Sequence, residues 1–238
     1  MKSYYIQLIR NGLTAGNEGG RYIGHTDEEL SAEGIEQINQ MKTDYKYPMV
    51  EAVFSSPLKR CTQTAKLIYP NCDPIVIDGF IEYNFGEFEG KSAEELESHP
   101  VFPDWLAGKK GVSPPFGESN EEFSQRIAQT MIKVIDGIIQ SGITKTASVT
   151  HGGVIMALLS MFGLPEASMH EWLTPACCGY TIRIDPSIWS RGMKVEAIAE
   201  CPAQPEVFEH ELWDVYDPEK DEFDVAYWED DSNFTDEI

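Results

Sequence analysis

The stretch Tyr4-Tyr-Ile-Gln-Leu-Ile-Arg-Asn-Gly-Leu-Thr14 decides how the fold is interpreted. Its first six residues are rich in aromatic and aliphatic side chains and predict a strand, after which Arg10, Asn11 and Gly12 form a polar turn. In α/β sheets, ligands bind beyond the carboxyl ends of the strands. Polar residues that directly follow a strand are therefore candidates for a functional site.

The same arrangement, a strand followed by a helix, recurs along the chain. Val50–Ser55 is predicted as a strand, and a helix over Leu58–Ile68 follows it, with Pro57 at its start. Thr146–Thr150 is predicted as a buried strand that leads into a helix over Val154–Phe162. This alternation predicts an α/β fold of three layers, in which a mostly parallel sheet has helices on both faces.

Further signals locate two helices and an inserted cap. Ser31 is suited to cap a helix, and Ser119 and Glu122 form a capping box that opens a long amphipathic helix ending before Gly142. Residues 88–117 lack a clear hydrophobic period, which indicates a small helical cap inserted into the domain. The remaining predicted elements are three strands, two of them near the sheet edge, and two short cap helices: Pro74–Ile77, Tyr180–Ile184, Val195–Ala199, 94–97 and 102–106.

The chain has 238 residues and a net charge of −22 that is unevenly distributed. Residues 206–238 hold 14 acidic residues and one basic residue, Lys220, so this segment carries −13 of the total. We expect a main domain over 1–205 and an acidic, aromatic extension over 206–238, either packed on the domain or used for partner binding or self-association. The charge argues against nucleic acid or a membrane as a partner, because both present phosphate groups that need clustered Lys and Arg.

The cysteine content and the N-terminus predict a cytoplasmic protein. Five cysteines without CxxC spacing argue against a disulfide scaffold or a zinc ribbon. The first 14 residues lack the apolar core of a signal peptide. The sequence also has no P-loop, no metal-ligand cluster and no GxSxG nucleophile motif, so we expect neither a metal nor a cofactor.

Five polar residues follow the predicted strands closely enough to converge at one edge of the sheet. Arg10 and Asn11 follow the first strand, Arg60 lies on the helix after the second, Glu82 follows the third, and His151 follows the fourth. Guanidinium groups bind phosphoryl oxygens in a bidentate manner, and a carboxyl group can protonate a leaving oxygen. The set therefore predicts a site for a small phosphate ester, and for free phosphate or sulfate.

Five motifs in order along the chain resemble those of the histidine phosphatase superfamily, also called phosphoglycerate mutase-like. Leu8-Ile-Arg-Asn-Gly-Leu-Thr14 is similar to the family signature LxRHGxT, with Asn11 where the family has its nucleophilic His. The other motifs are Ser55-Ser-Pro-Leu-Lys-Arg-Cys-Thr-Gln-Thr-Ala65, Glu82 followed by Phe85-Gly-Glu-Phe-Glu-Gly90, Gly117-Glu-Ser119, and Val149-Thr-His-Gly-Gly153. The resemblance extends to about Ile184 and implies a phosphoglycerate mutase-like fold.

The resemblance also implies roles for individual residues. In the family, the first His attacks phosphorus to give a phosphohistidine, while two Arg and a second His hold the phosphoryl oxygens. This assigns phosphate binding to Arg10, Arg60 and His151, with Asn17 and Gly152 as further contacts. Glu82 would protonate the leaving oxygen and then activate water.

Two other carboxylates compete with Glu82 for the role of general acid, and the role of one histidine is undecided. Glu82 is preferred because the family places the acid ahead of the Gly-aromatic pair, whereas Glu89 matches a carboxylate that binds backbone, and Glu87 lies nearby. His25 lies in a loop that the resemblance places near the substrate entrance.

Asn11 departs from the family pattern at the position that matters most. The lone pair of an amide nitrogen is delocalised into its carbonyl, so Asn11 cannot replace an imidazole as nucleophile, although it can still hydrogen-bond a phosphate oxygen. The chain is then either a natural pseudophosphatase that binds a phosphorylated metabolite or an enzyme whose nucleophile has been substituted. Retention of the other catalytic positions favours substitution.

Within the family, the cap favours a phosphatase over a phosphoglycerate mutase-type phosphotransferase. Mutase-type members resemble one another in longer insertions with cationic residues for a second phosphate, whereas Lys109 and Lys110 are the obvious basic pair of this cap. Its aromatic residues either line a pocket or form the core of the cap: Phe88, Phe102, Trp105 and Phe116. The leaving group and the oligomeric state cannot be read from the sequence.

Overall fold

A computed structural model describes residues 2–17 and 19–204, so the acidic extension over 206–238 lies outside the described residues. The strands are β1 Tyr4–Arg10, β2 Ala52–Ser55, β3 Ile75–Val76, β4 Lys145–Thr150, β5 Gly163–Leu164, β6 Gly179–Ile184 and β7 Val195–Cys201. The helices are α1 Ala32–Asp44, α2 Lys59–Ile68, α3 Ala93–Leu96, α4 Phe102–Leu106, α5 Asn120–Ser141, α6 Gly152–Phe162 and α7 Pro186–Gly192. None of the helices in these ranges combines the length and apolar character needed to cross a membrane.

The seven strands form one mixed sheet in the order β3-β2-β4-β1-β6-β7-β5. Four pairings are parallel, and β6 runs antiparallel to both β1 and β7, so the predicted mostly parallel α/β sheet is confirmed. Of the two strands predicted near the sheet edge, β7 lies next to the edge strand β5, whereas β6 is interior. The almost fully buried side chains of β6 agree with this position. The prediction that Tyr180–Ile184 lies near the sheet edge was therefore wrong.

Alternate residues of β1 belong to two hydrophobic cores, which places helices on both faces of the sheet. Ile6 and Leu8 join the core that contains the buried side chains of α5 and α6. Ile9 joins the core that contains those of α1 and α2. Because successive side chains of a strand point to opposite faces, these cores lie on opposite sides of the sheet.

The predicted capping residues begin the helices as expected. Ser31 accepts a hydrogen bond from the backbone of Gly34 at the start of α1, and Ser119 and Glu122 form the capping box of α5. Gly142 ends α5 in the left-handed conformation, with φ of 73°. Helix α7 was not predicted, although its signal was present, since Asp185 caps it directly before Pro186.

The aromatic residues of the cap divide into core and surface. Phe88, Phe102 and Trp105 are buried in the main core, with ring centroids 5.3–5.8 Å apart. Phe116 is 88% exposed and has a φ of 60°, which is rare for a bulky residue. Three of the four aromatics therefore hold the cap together.

We expect the substitution Phe116→Gly to stabilise the fold by about 0.5–1 kcal/mol. Relief of the strain of a left-handed non-glycine residue raises the free energy of unfolding by about 1–2 kcal/mol. The larger conformational entropy of Gly in the unfolded chain lowers it by about 0.5–1 kcal/mol. Little packing is lost, because the side chain is exposed. Denaturant unfolding measures the change. Leu106→Gly is the control, since this exposed residue ends α4 and should lose about 1 kcal/mol. Destabilisation by Phe116→Gly would contradict the prediction.

Candidate active site

Asn11 lies at the carboxyl end of β1, buried to 7% exposure. Its backbone N–H donates to Thr150 O over 2.8 Å, which ties the position to the neighbouring strand β4. The side-chain Nδ2 donates to Gly12 O over 2.8 Å, so Oδ1 faces His151 Nδ1 at 3.1 Å. The sheet therefore brings the predicted nucleophile position and the predicted phosphate-binding histidine into contact.

His151 is buried between strand β4 and helix α6, an environment that disfavours a charge on its ring. Burial lowers the pKa of His151 well below its usual value, and the positive charges of Arg60 and Arg10 lower it further. A hydrogen bond to Asn11 Oδ1 needs a proton on Nδ1 of His151, whereas the bond donated by Arg60 Nε over 3.3 Å needs Nδ1 without one, so the two contacts belong to opposite tautomers. Nε2 lies 2.7 Å from the hydroxyl of Ser56, which can donate or accept in either case.

Arg60 lies in the first turn of α2, and its guanidinium is 2% exposed. Nη1 donates to Thr26 O and Nη2 to Gly24 O, each over 2.7 Å, while Nε points at His151 Nδ1 from 3.3 Å. The guanidinium of Arg60 therefore lies against the ring of His151, next to Asn11.

Arg10 occupies the end of β1 next to the N-terminus of α6. Its Nη1 donates to Thr174 O over 2.6 Å, and a Cβ at Gly152 would lie 3.3 Å from its Nε. Burial lowers the pKa of Arg10, and the nearby Glu82 partly offsets this effect. Among the described residues, neither Arg10 nor Arg60 forms an ion pair with a carboxylate.

Glu82 reaches the same edge of the sheet from the loop after β3. Its Oε1 accepts from Tyr83 N over 2.8 Å and its Oε2 from Gly153 N over 3.0 Å. Burial raises the pKa of Glu82, although these two backbone bonds and the two nearby arginines act against the rise. A Cβ at position 153 would lie 2.5 Å from Oε1, so a larger residue there would displace the Glu82 carboxyl group.

The competing carboxylates and Asn17 have other partners. Glu89 accepts from the backbone N–H groups of Gly24 and Thr26 over 2.8 and 3.0 Å, so it holds the loop that Arg60 also binds. Glu87 is exposed and lies 3.7 Å from His99. Asn17 Oδ1 accepts from the backbone N and the hydroxyl of Thr14, which leaves its Nδ2 as the group that can reach a ligand.

Three residues support the site although the sequence did not assign them to it. Ser56 sits beside the ring of His151, His25 places Nε2 3.0 Å from Glu82 O, and Arg126 donates to the same carbonyl over 3.2 Å. Ser56 lies within a quoted motif and could have been singled out, whereas His25 was noted only as a loop residue near the substrate entrance. Arg126 is a helical arginine whose partners are mainly carbonyl oxygens, so no sequence pattern marks it.

A mostly parallel α/β sheet with two arginines, a histidine and a carboxyl group gathered at its carboxyl edge is typical of phosphoryl-transfer enzymes. The sequence profile of the histidine phosphatase superfamily, branch 1, matches residues 6–220. The chain therefore belongs to the histidine phosphatase superfamily, which confirms the family that the motifs indicated.

Known relatives include both phosphatases and a mutase. The chain is 28% identical to the adenosylcobalamin/alpha-ribazole phosphatase of Escherichia coli K12 over 190 residues, which cover 78% of this chain and 87% of the relative. It is 30% identical over 203 residues, 82% of this chain and 92% of the other, to the "Probable phosphoglycerate mutase GpmB" of Yersinia pestis strain Pestoides F.

A solved structure shares the fold and carries a bound phosphate ester. The phosphoserine phosphatase from Entamoeba histolytica, crystallised in complex with 3-phosphoglyceric acid, is 26% identical. The match covers 83% of this chain and 96% of that one, with a TM-score of 0.64. The phosphoglycerate mutase-like α/β fold is thus confirmed.

Proposed function

We propose that the chain is a phosphomonoester hydrolase scaffold that binds a small phosphate ester and that, as written, lacks the nucleophile for turnover. The observation that carries this proposal is the pair of arginines at the sheet edge. Arg60 is buried and Arg10 is half-buried beside His151, and within residues 2–17 and 19–204 neither forms an ion pair with a carboxylate. Buried charges are costly unless they are paired, so the site is built for an anion.

The geometry supports a two-step covalent mechanism when position 11 carries an imidazole. The imidazole nitrogen attacks phosphorus and forms a P–N bond, while the P–O bond to the alcohol breaks and Glu82 gives its proton to the leaving oxygen. Water then attacks phosphorus, Glu82 takes a proton from the water, and the P–N bond breaks to release phosphate. Arg10, Arg60 and His151 stabilise the phosphoryl oxygens in both steps.

Two features favour a phosphatase over a phosphoglycerate mutase-type phosphotransferase. The two adjacent lysines of the cap offer little positive charge to a second phosphate, since Lys109 is exposed and already pairs with Asp104 at 2.9 Å. The cap aromatics Phe88, Phe102 and Trp105 are core residues, and none of them is a cation that could hold a second phosphate. We further propose hydrolysis without a metal, in the reducing cytoplasm that five free cysteines suit.

A natural pseudophosphatase that binds a phosphorylated metabolite is the alternative. It is favoured by Asn11 itself, whose amide donates to Gly12 O over 2.8 Å and places Oδ1 3.1 Å from His151 Nδ1. Both alternatives predict phosphate binding, and only the enzyme predicts that an imidazole at position 11 restores turnover.

Binding tests the part that both alternatives share. We expect the chain as written to bind one molecule of p-nitrophenyl phosphate or inorganic phosphate, measured by isothermal calorimetry. Arg10→Gln should weaken this binding about 10- to 150-fold, because a charged hydrogen bond contributes roughly 1.5–3 kcal/mol.

Arg183→Gln is the matched control for this measurement. Arg183 is also partly buried, and its substitution changes the net charge by the same amount as Arg10→Gln. It pairs with Glu196 at 2.8 Å, however, and lies opposite Tyr5 near the amino end of β1. We expect it to leave phosphate affinity within about twofold. Equal weakening by both substitutions, or no binding to the parent chain, would count against the proposed site.

A further inference from the structure

Arg126, in the second turn of α5, directs three of the five N–H groups of its guanidinium at the loop that carries Glu82 and the other two at Glu118. Nη1 donates to Gly79 O over 2.9 Å and to Ile81 O over 2.8 Å, and Nη2 donates to Glu82 O over 3.2 Å. The remaining donors face the carboxylate of Glu118, with Nη2 at 2.6 Å and Nε at 3.4 Å. A lysine has three donors on one atom and cannot reproduce this planar set.

Glu118 holds the far end of the same loop. Its Oε1 accepts from Asn84 N over 2.8 Å, and its own backbone N–H donates to Asn84 O over 3.0 Å. Its carbonyl accepts from the hydroxyl of Tyr83 over 2.6 Å. The loop over residues 79–84 is therefore fixed at both ends by one ion pair, whose partners Arg126 and Glu118 are 25% and 15% exposed.

The carboxyl group of Glu82 depends on this backbone for its direction. Both of its hydrogen-bond donors are backbone N–H groups, those of Tyr83 and Gly153, and its own carbonyl is bound by Arg126. Movement of the loop would move the carboxyl relative to the phosphoryl oxygens without changing Arg10 or Arg60. A displacement of about 1 Å at a reacting group can cost on the order of 10²-fold in rate.

We propose that Arg126 and Glu118 are a positioning pair, which holds the loop of Glu82 so that its carboxyl group faces the leaving oxygen. This inference rests on the proposed hydrolase function. Arg126 does not touch the substrate in this scheme and acts through the backbone of residues 79–84.

The dependence of rate on the leaving group tests the proposal in the Asn11→His background. Protonation matters for an alkoxide leaving group and little for nitrophenolate, so Arg126→Gln should affect two substrates unequally. We expect the rate of phosphoenzyme formation from β-glycerophosphate to fall about tenfold or more, and that from p-nitrophenyl phosphate by less than about threefold. Rapid-quench measurements give both rates.

Two further variants separate positioning from charge and from stability. Arg126→Lys keeps the charge and loses the planar donor set, so we expect it to behave like Arg126→Gln. Arg183→Gln removes an ion pair of comparable burial at the other end of the sheet and should keep the parent ratio of the two rates. Equal losses for both substrates, or parent behaviour of the lysine variant, would overturn the proposal.

Amide hydrogen exchange in the chain as written provides a readout that needs no activity. Arg126→Gln should speed exchange at Tyr83 and Gly153, whose N–H groups bind the Glu82 carboxylate, by about tenfold or more, while the amides of β1 and β4 stay protected. Unchanged exchange at both amides would overturn the inference even when Asn11→His proves inactive. Inactivity of Asn11→His with the expected exchange would instead overturn the hydrolase function alone.

Discussion

Asn11→His is expected to turn the chain into a phosphatase, raising the hydrolysis of p-nitrophenyl phosphate by about 10³-fold or more. The magnitude follows from other hydrolases with covalent intermediates, in which loss of the nucleophile costs up to about 10⁶-fold in kcat. The site keeps its other parts, since Arg10, Arg60, His151 and Glu82 all lie at the same edge of the sheet.

The structure shows why an imidazole suits this position. Asn11 Nδ2 and the Nδ1 of a histidine are both bonded to Cγ, so the imidazole N–H can donate to Gly12 O as the amide does over 2.8 Å. That bond fixes the tautomer and leaves the lone pair on Nε2 for attack on phosphorus. The orientation of a nucleophile is thus already prepared by the backbone.

The phosphoenzyme itself is the most direct measurement. A phosphohistidine is labile to acid and stable to base, so the trapped protein should show this pattern with the His variant. Asn11→Gln is the control, because it changes size without adding a nucleophile and should stay inactive. A folded His variant that binds phosphate yet neither forms the adduct nor hydrolyses the ester would leave the pseudophosphatase alternative in place.

Glu82→Gln, made in the Asn11→His background, is expected to lower the hydrolysis of an alkyl phosphate by about 10²-fold or more, as removal of a general acid does. Burial raises the pKa of Glu82 above its usual value, so the carboxyl stays protonated to higher pH. The protonated form is the active acid, so the rate of phosphoenzyme formation should fall as the pH rises through this raised pKa. The Gln variant should lose that pH dependence.

Glu87→Gln is the matched control for the acid. Glu87 belongs to the same motif but is exposed beside His99, so its loss should leave both the rate and the pH profile within about twofold. Rapid-quench measurement of phosphoenzyme formation from an alkyl phosphate gives the rate and its pH profile for each variant. A Glu82→Gln variant with the parent pH profile would move the acid role elsewhere.

The sequence predicted those parts of the fold and site that follow from strand ends. Arg10, Asn11 and His151 come directly after strands, so their meeting at one edge follows from a parallel sheet. The positioning of Glu82 could not be predicted, because Arg126 binds carbonyl oxygens whose directions exist only in the folded loop. The interior position of β6 could not be predicted from the local sequence pattern either, because tertiary packing determines which strands pair.

The two halves of the site are anchored differently. Asn11 and Arg10 end a strand that is bonded on both sides, by Asn11 N to Thr150 O and by Arg10 N to Cys178 O, each over 2.8 Å. Glu82 instead lies on a loop held by side chains. We therefore expect mutations in the loop to affect protonation of the leaving oxygen more than binding of the phosphoryl group. The part of the proposed site that holds the anion and the part that supplies the proton can then change independently.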